Sequence, residues 1–197
     1  VLKRYPNQKI LVITHVKELI TQNYANLLRL WPFAPAGLHS AGLNKFDIHQ
    51  AIIFAGIQSI HRKHASFGRI DLIIIDEAHL VSPKDGAMYS NFINGLLEVN
   101  PFLKVIGFTA TPFRIGQGYI TQDVVTPGGK TVPSIFTDIC FDITGQEAFT
   151  RLIAEGFLCR VTTQKTKLTL DSDGVRVQAD DYVLKDLQLA IDKDGIT

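Results

Sequence analysis

The chain has 197 residues, 46% of them hydrophobic, and a formal net charge of +1. A chain of that length can bury roughly 70% of the surface it exposes when unfolded, so a full apolar core is within reach. The near-neutral charge rules out a global field for holding nucleic acid, so any such contact must use a local surface. Two cysteines, Cys140 and Cys159, form no C-x-x-C pair. They argue against a zinc framework or a disulfide scaffold, suit a reducing cytoplasmic setting, and read as small core residues. No apolar run approaches the roughly 18 residues of a membrane-spanning helix, and no signal peptide is visible. The first residue is Val1, and the N-terminus reads as cut: a processed or truncated product, or one module of a longer chain.

In chain order, residues 9–14 (KILVIT) predict a short strand and 15–30 an amphipathic helix, with Val16, Leu19, Ile20, Tyr24, Leu27 and Leu28 at three- and four-residue spacing. Pro32 and Pro35 end that helix, and Trp31 beside them reads as packing. Residues 37–43 suit a further strand, and His39 and His49 read as loop residues. Residues 51–57 (AIIFAGI) form another buried-type strand, followed by a helix over 58–67 that Gly68 stops. His61 and His64 on that helix make an H-x-x-H pair without a third ligand and read as a solvated face. Residues 71–76 are a central strand, about 89–99 a helix closed by Asn100-Pro101, and 103–109 (LKVIGFT) the next buried strand. Such alternation predicts a parallel sheet flanked by helices. Past Phe113 the glycines and prolines of GQG and TPGG, with Pro133, predict a loop or hairpin insertion over 114–135. Residues 136–143 suit a strand, and 146–155 a helix with Gly156 as its cap. Residues 160–170 suit a half-wet strand, 171–174 a turn and 179–192 a last helix.

The chemistry concentrates at residues 72–79, Leu-Ile-Ile-Ile-Asp-Glu-Ala-His. The unbroken apolar run predicts a strand covered on both faces. Asp76 and Glu77 follow at its C-terminal end, the edge where open α/β sheets bind ligands. Adjacent carboxylates repel unless a cation or proton resolves them, and magnesium with water and phosphate oxygens does so naturally. The plainer alternative is that they cap the next helix. Hydroxyls at Thr109 and Thr111, His15, Lys17 and Gln22 after the first strand, and Gln58-Ser59 after AIIFAGI all predict polar groups on that same edge.

In order and spacing these segments resemble the motifs of superfamily 2 helicases. Asp76-Glu77-Ala78-His79 resembles motif II, Thr109-Ala110-Thr111 motif III, residues 12–22 (VITHVKELITQ) motif Ia, and residues 55–60 (AGIQSI) the motif Ib region. The nearest subgroup is the RadD-like bacterial DNA-repair helicases, with restriction-enzyme motor subunits as relatives. The resemblance covers about residues 9–119 and continues weakly through EAFTRLIAEGFL. It implies an α/β fold: a RecA-like three-layer αβα sandwich with a mainly parallel sheet, plus a small C-terminal α+β extension. It also implies ATP and Mg²⁺ as cofactors, and nucleic acid, DNA above RNA, as partner. By the same resemblance Asp76 holds Mg²⁺ through water and Glu77 polarises the attacking water. His79 contacts Thr109 or Thr111, and Thr109, Ala110 and Thr111 couple the site to a second motor domain. His15, Lys17, Gln22, Gln58 and Ser59 meet the sugar-phosphate backbone, and Arg114 lines the nucleotide cleft or is a surface cation.

One departure matters. The family's phosphate loop, G-x-x-x-x-G-K-[ST], precedes motif Ia, and only fourteen residues precede His15 here. Gly128-Gly129-Lys130-Thr131 imitates its end, but Val124 stands where its first glycine belongs, and a hairpin turn is the better reading. Residues 1–113 then form a partial first motor domain without the phosphate-loop strand. Residues 136–197 form its end and the start of a linker toward a second RecA-like domain missing from this chain. Without the phosphate-loop strand, one edge of LKVIGFT should stand unpaired. The expectation is a fragment of an ATP-dependent helicase or translocase, inactive alone. A degenerate DNA- or protein-binding module is the main alternative, and another two-carboxylate phosphohydrolase a weaker one.

Overall fold

The β-branched apolar runs fold into one six-stranded sheet. The computed structural model describes residues 1–81, 87–114, 118–125, 128–160, 175–178 and 181–193. The sheet holds β1 (Ile10–Thr14), β2 (Ala36–Ser40), β3 (Lys45–Phe46), β4 (Ile52–Gly56), β5 (Leu72–Asp76) and β6 (Lys104–Phe108). Its order is β3-β2-β4-β1-β5-β6. All neighbours are parallel except the hairpin pair β2 and β3. Parallel neighbours need crossover connections; helices α1 (Lys17–Leu30), the short α2 (Ile57–Ile60) and α3 (His64–Phe67), and α4 (Met88–Val99) supply them, except that β2 reaches β4 through β3. The architecture is the expected RecA-like α/β fold.

Side chains alternate across each strand, so the sheet has two different faces. Leu11, Ile13, Ile53, Ala55, Ile73 and Ile75 pack on one face with Ile57, Ile60, Phe67, Phe92, Ile93 and Leu96 of α2 to α4, and form the main core. On the other face Ile52 and Phe54 meet Ile20, Tyr24 and Leu27 of α1. At the N-terminal end of the strands, Trp31, Leu27, Ile10, Ile52, Leu72 and Ile74 line an apolar hollow of about 720 Å³. Trp31 lines this hollow but is itself exposed rather than packed in the core.

Several elements differ from expectation. The helix over 58–67 is two short helices, because Lys63 leaves the helical region (φ −120°, ψ 22°). The expected strand over 37–43 ends at Ser40 and turns through a 3₁₀ helix, Ala41–Leu43, with Asn44 left-handed. His39 lies not in a loop but on β2, where it is buried between Phe46 and Phe67. Burial lowers its pKa. Nor is β6 buried: Lys104, Ile106 and Phe108 are exposed. It is the last strand in the order, paired with β5 alone. Among the described residues its other edge is open, as expected for LKVIGFT.

The chain divides into two units, residues 1–113 with 119–139 and residues 114–118 with 140–197. In the first, Val124–Val125 pairs with Thr131–Val132 as a hairpin. Residues 136–143 are irregular rather than a strand: Phe136 is buried but Ile139, Phe141 and Ile143 are exposed, and no described strand pairs with them. In the second unit α5 (Gln146–Ala154) ends as expected at Gly156. That residue sits at φ +79°, with its N–H on the Ile153 carbonyl and the Phe157 N–H on the Leu152 carbonyl. The last helix, α6 (Leu184–Lys193), starts later than expected, because Val177–Gln178 and Asp181–Tyr182 form a small hairpin. Arg176 clamps Asp186 at the start of α6 through both carboxylate oxygens (2.6 and 3.0 Å). Cys140 and Cys159 are exposed, not core residues. The expected strand over 160–170 and turn over 171–174 lie, beyond Arg160, outside the described residues. Among the described residues no helix is long and apolar enough to cross a membrane.

Candidate functional site

Register brings the polar residues to one edge. Thr14 pairs with Gly56, Ile13 with Ile75, and Asp76 with Phe108. The residues that leave these parallel strands, His15, Gln58, Glu77 and Thr109, therefore leave at the same end of the sheet.

At the β5 and β6 end, polar groups hold one another. Asp76 Oδ1 accepts the Glu77 backbone N–H (3.1 Å) and Oδ2 accepts the Asn23 side-chain amide (3.3 Å). Glu77 has φ +53° and ψ +53°, a left-handed conformation that costs an L-residue with a Cβ about 1–2 kcal/mol. The kink starts a 3₁₀ turn, Ala78–Leu80, and buries Ala78. Beneath it β6 carries Gly107. A Cβ there would stand 2.6 Å from the Ala78 Cβ and 2.7 Å from the Phe136 ring. The motif turn, β6 and Phe136 can thus pack only because position 107 has no side chain.

His79 Nδ1 lies 2.9 Å from Thr109 Oγ1 and 3.3 Å from Glu77 Oε2. The Thr109 hydroxyl donates to the Thr111 carbonyl (3.2 Å) and accepts the Thr111 N–H (3.1 Å). Which of His79 Nδ1 and Thr109 Oγ1 donates follows the histidine tautomer. The histidine contact falls on Thr109, and Thr111 takes part through its backbone. Ala110 is exposed between them. Tyr89, in the first turn of α4, is buried, and its hydroxyl has no partner among the described residues. Burial and the Asp76 charge hold its pKa above the usual phenol value.

At the β1 and β4 end the groups are more open. Gln58 Nε2 donates to the His15 carbonyl (3.1 Å) and lies 3.3 Å from the His15 ring nitrogens. Ser59 Oγ accepts the Ala41 N–H (2.9 Å). Lys17 and Gln22 are exposed, and Lys17 Nζ lies 3.8 Å from Glu18. No side chain caps the N-terminus of α1. Arg114 belongs to the second unit, so the geometry of the first gives it no place. His61 Nδ1 lies 3.1 Å from the Gln58 carbonyl, and the His64 ring abuts Gly95. Among the described residues no group of three or more His, Cys, Asp or Glu could hold a metal. Asn23 escaped the sequence reading. Its signal was there: three residues after Ile20 and four before Leu27, a polar residue sits on the apolar stripe of α1.

The donor set answers part of what a metal–triphosphate needs. Among the described residues no Lys or Arg pairs with Asp76 or Glu77, and the N–H groups on Asp76 are neutral. A carboxylate so placed suits a hard cation that keeps water and phosphate oxygens as its other ligands. The phosphate side does not fit. Gly129, at φ +77°, turns a hairpin, and Thr131–Val132 is a strand rather than the start of a helix.

A parallel α/β sheet with paired carboxylates at one strand end, joined through a histidine to a threonine at the next, defines a RecA-like domain of the superfamily 2 helicase class. Residues 1–114 match the family model described as type III restriction enzyme, res subunit, and the chain belongs to that family. It is 27% identical over 189 residues to a Saccharomyces cerevisiae protein named "Putative ATP-dependent helicase IRC3", covering 94% of this chain and 25% of the relative. The chain thus spans a quarter of that relative's length. Among solved structures it is similar to the UvsW helicase of bacteriophage T4, at 23% identity and a TM-score of 0.44, over 54% of this chain and 38% of that one.

Proposed function

We propose that this chain supplies part of the first motor domain of an ATP-dependent helicase or translocase acting on nucleic acid, with DNA the favoured polymer. The observation that carries this reading is the bond from His79 to Thr109 beside the Asp76–Glu77 pair (2.9 Å). It joins the acidic turn to the following strand end, and a motor needs such a link between its nucleotide site and its moving parts. Asp76 is the metal-facing carboxylate, acting through water. Magnesium, when bound there, neutralises charge on the transferring phosphoryl group. Glu77 orients and polarises the attacking water. Thr109, Ala110 and Thr111 carry the state of the site toward a second RecA-like domain of the parent polypeptide. Lys17 and Gln22, with His15, Gln58 and Ser59 behind them, face the sugar-phosphate backbone, where contacts carry little sequence information.

Residues 1–113 are the motor-domain part, 114–135 an insertion, and 136–197 the end of the domain and start of a linker. The phosphate cradle comes from outside these residues, so the chain alone does not turn over ATP. The exposed free thiols suit a cytoplasmic setting. The test is Glu77→Gln in the complete polypeptide. ATP binding should persist while hydrolysis falls roughly 100-fold or more, the scale of a lost general base. Unchanged hydrolysis removes Glu77 from the reaction, and a complete polypeptide without ATPase activity favours a binding module instead. Turnover by the 197-residue chain alone, at the parent's rate, sinks the reading of the chain as an incomplete site.

A further inference from the structure

The sheet-facing side of α1 is apolar except at one position. Ile20 is buried, Tyr24 meets Phe54 edge-on at 5.9 Å, and Leu27 packs beside them. Between these stands Asn23, whose amide donates to Asp76 Oδ2 (3.3 Å). Among the described residues this is the one side-chain hydrogen bond from α1 to another element. The other Asp76 oxygen accepts the Glu77 N–H (3.1 Å). Two donors from two directions set the plane of the carboxylate, and one of them belongs to the helix. That helix also carries the exposed Lys17 and Gln22, and Gln22 immediately precedes Asn23.

We propose that Asn23 is a positioning residue that ties α1 to the Asp76 carboxylate, so that a nucleic-acid strand held on α1 alters cation binding at Asp76. The inference rests on Asp76 being the metal-facing carboxylate of the proposed motor. A displacement of α1 moves the Asn23 amide and changes the rotamer in which Asp76 is held. The apolar contacts of α1 run to side chains of β1, β2 and β4, not to that carboxylate. Coupling of this kind is reciprocal: if the strand changes cation affinity, the cation changes strand affinity by the same factor.

The experiment uses the complete polypeptide, Mn²⁺ as a paramagnetic probe with a non-hydrolysable ATP analogue, and a single-stranded oligonucleotide. The dissociation constant of Mn²⁺ is read from the resonance of the free ion. In the unaltered protein the oligonucleotide should shift it by about threefold or more, within the usual range of coupling. In Asn23→Ala the shift should fall within twofold, with circular dichroism unchanged, and Asn23→Gln, which keeps the amide, should recover part of it. A merely structural role would leave the shift intact. An unaltered protein without a shift, or an Asn23→Ala protein that keeps it, overturns the proposal. Asp76→Asn separates the two levels. If it keeps full Mn²⁺ affinity, the metal-facing reading of Asp76 fails and the proposal with it. If it loses that affinity while Asn23→Ala keeps the shift, the proposal fails alone.

Discussion

At the β5 and β6 end of the sheet edge, Asp76, Glu77, His79 and Thr109 hold one another at 2.9–3.3 Å. At the β1 and β4 end, Lys17 and Gln22 stand exposed, and the hydrogen bonds tie His15, Gln58 and Ser59 to neighbouring segments. The two ends share one sheet and one register but have different physical demands. The acidic end carries backbone strain at Glu77, and under the proposed function its task depends on positioned charge. A surface that grips any phosphate backbone needs charge and reach rather than a single geometry.

Three substitutions probe that contrast, from the largest expected effect to the smallest. Glu77→Gly removes the carboxylate and relieves the left-handed backbone together. ATP hydrolysis by the complete polypeptide should fall roughly 100-fold or more, while chemical denaturation should show a gain of about 1 kcal/mol. A loss of stability would mean that the Glu77 side chain, not its backbone, holds the turn. Gly107→Ala should cost roughly 1–3 kcal/mol, because its Cβ meets Ala78 and Phe136 well inside contact distance. A neutral result by thermal melting would show that Phe136 swings away freely and that the acidic end is less rigid than its packing implies. Lys17→Ala should weaken oligonucleotide binding a few-fold, alike on unrelated sequences, and lower the slope of affinity against salt by about one. A sequence-dependent loss in an anisotropy titration would give the open end a reading role that the comparison denies it.

Much of the fold was legible because its strands are local runs of Ile, Val and Leu. Residues 10–14, 52–56 and 72–76 needed no tertiary information to be placed. The break at Lys63 and the irregular path of residues 136–143 were not legible. Each depends on what lies alongside: Ile60 and Phe67 enter the core from separate short helices, and no described strand offers 136–143 a ladder. The burial of His39 was hidden for the same reason, since a histidine in a short candidate strand gives no sign of the Phe46 and Phe67 rings around it. The cysteines were misread because small size suggests burial, whereas burial requires a neighbouring layer.

The amino-acid order by itself determined that Asp76 and Glu77 follow a buried strand and that Thr109 and Thr111 follow the next strand, whose exposure it did not reveal. Adjacency and hydrophobic runs are properties of the chain before it folds. Only the tertiary structure decided that His79 takes Thr109, that Gly107 must lack a side chain, and that Asn23 reaches Asp76. Those pairings span 30 and 53 residues or depend on a ring from a distant loop. They exist because parallel register sets Asp76 beside Phe108 and packing lays α1 over the sheet.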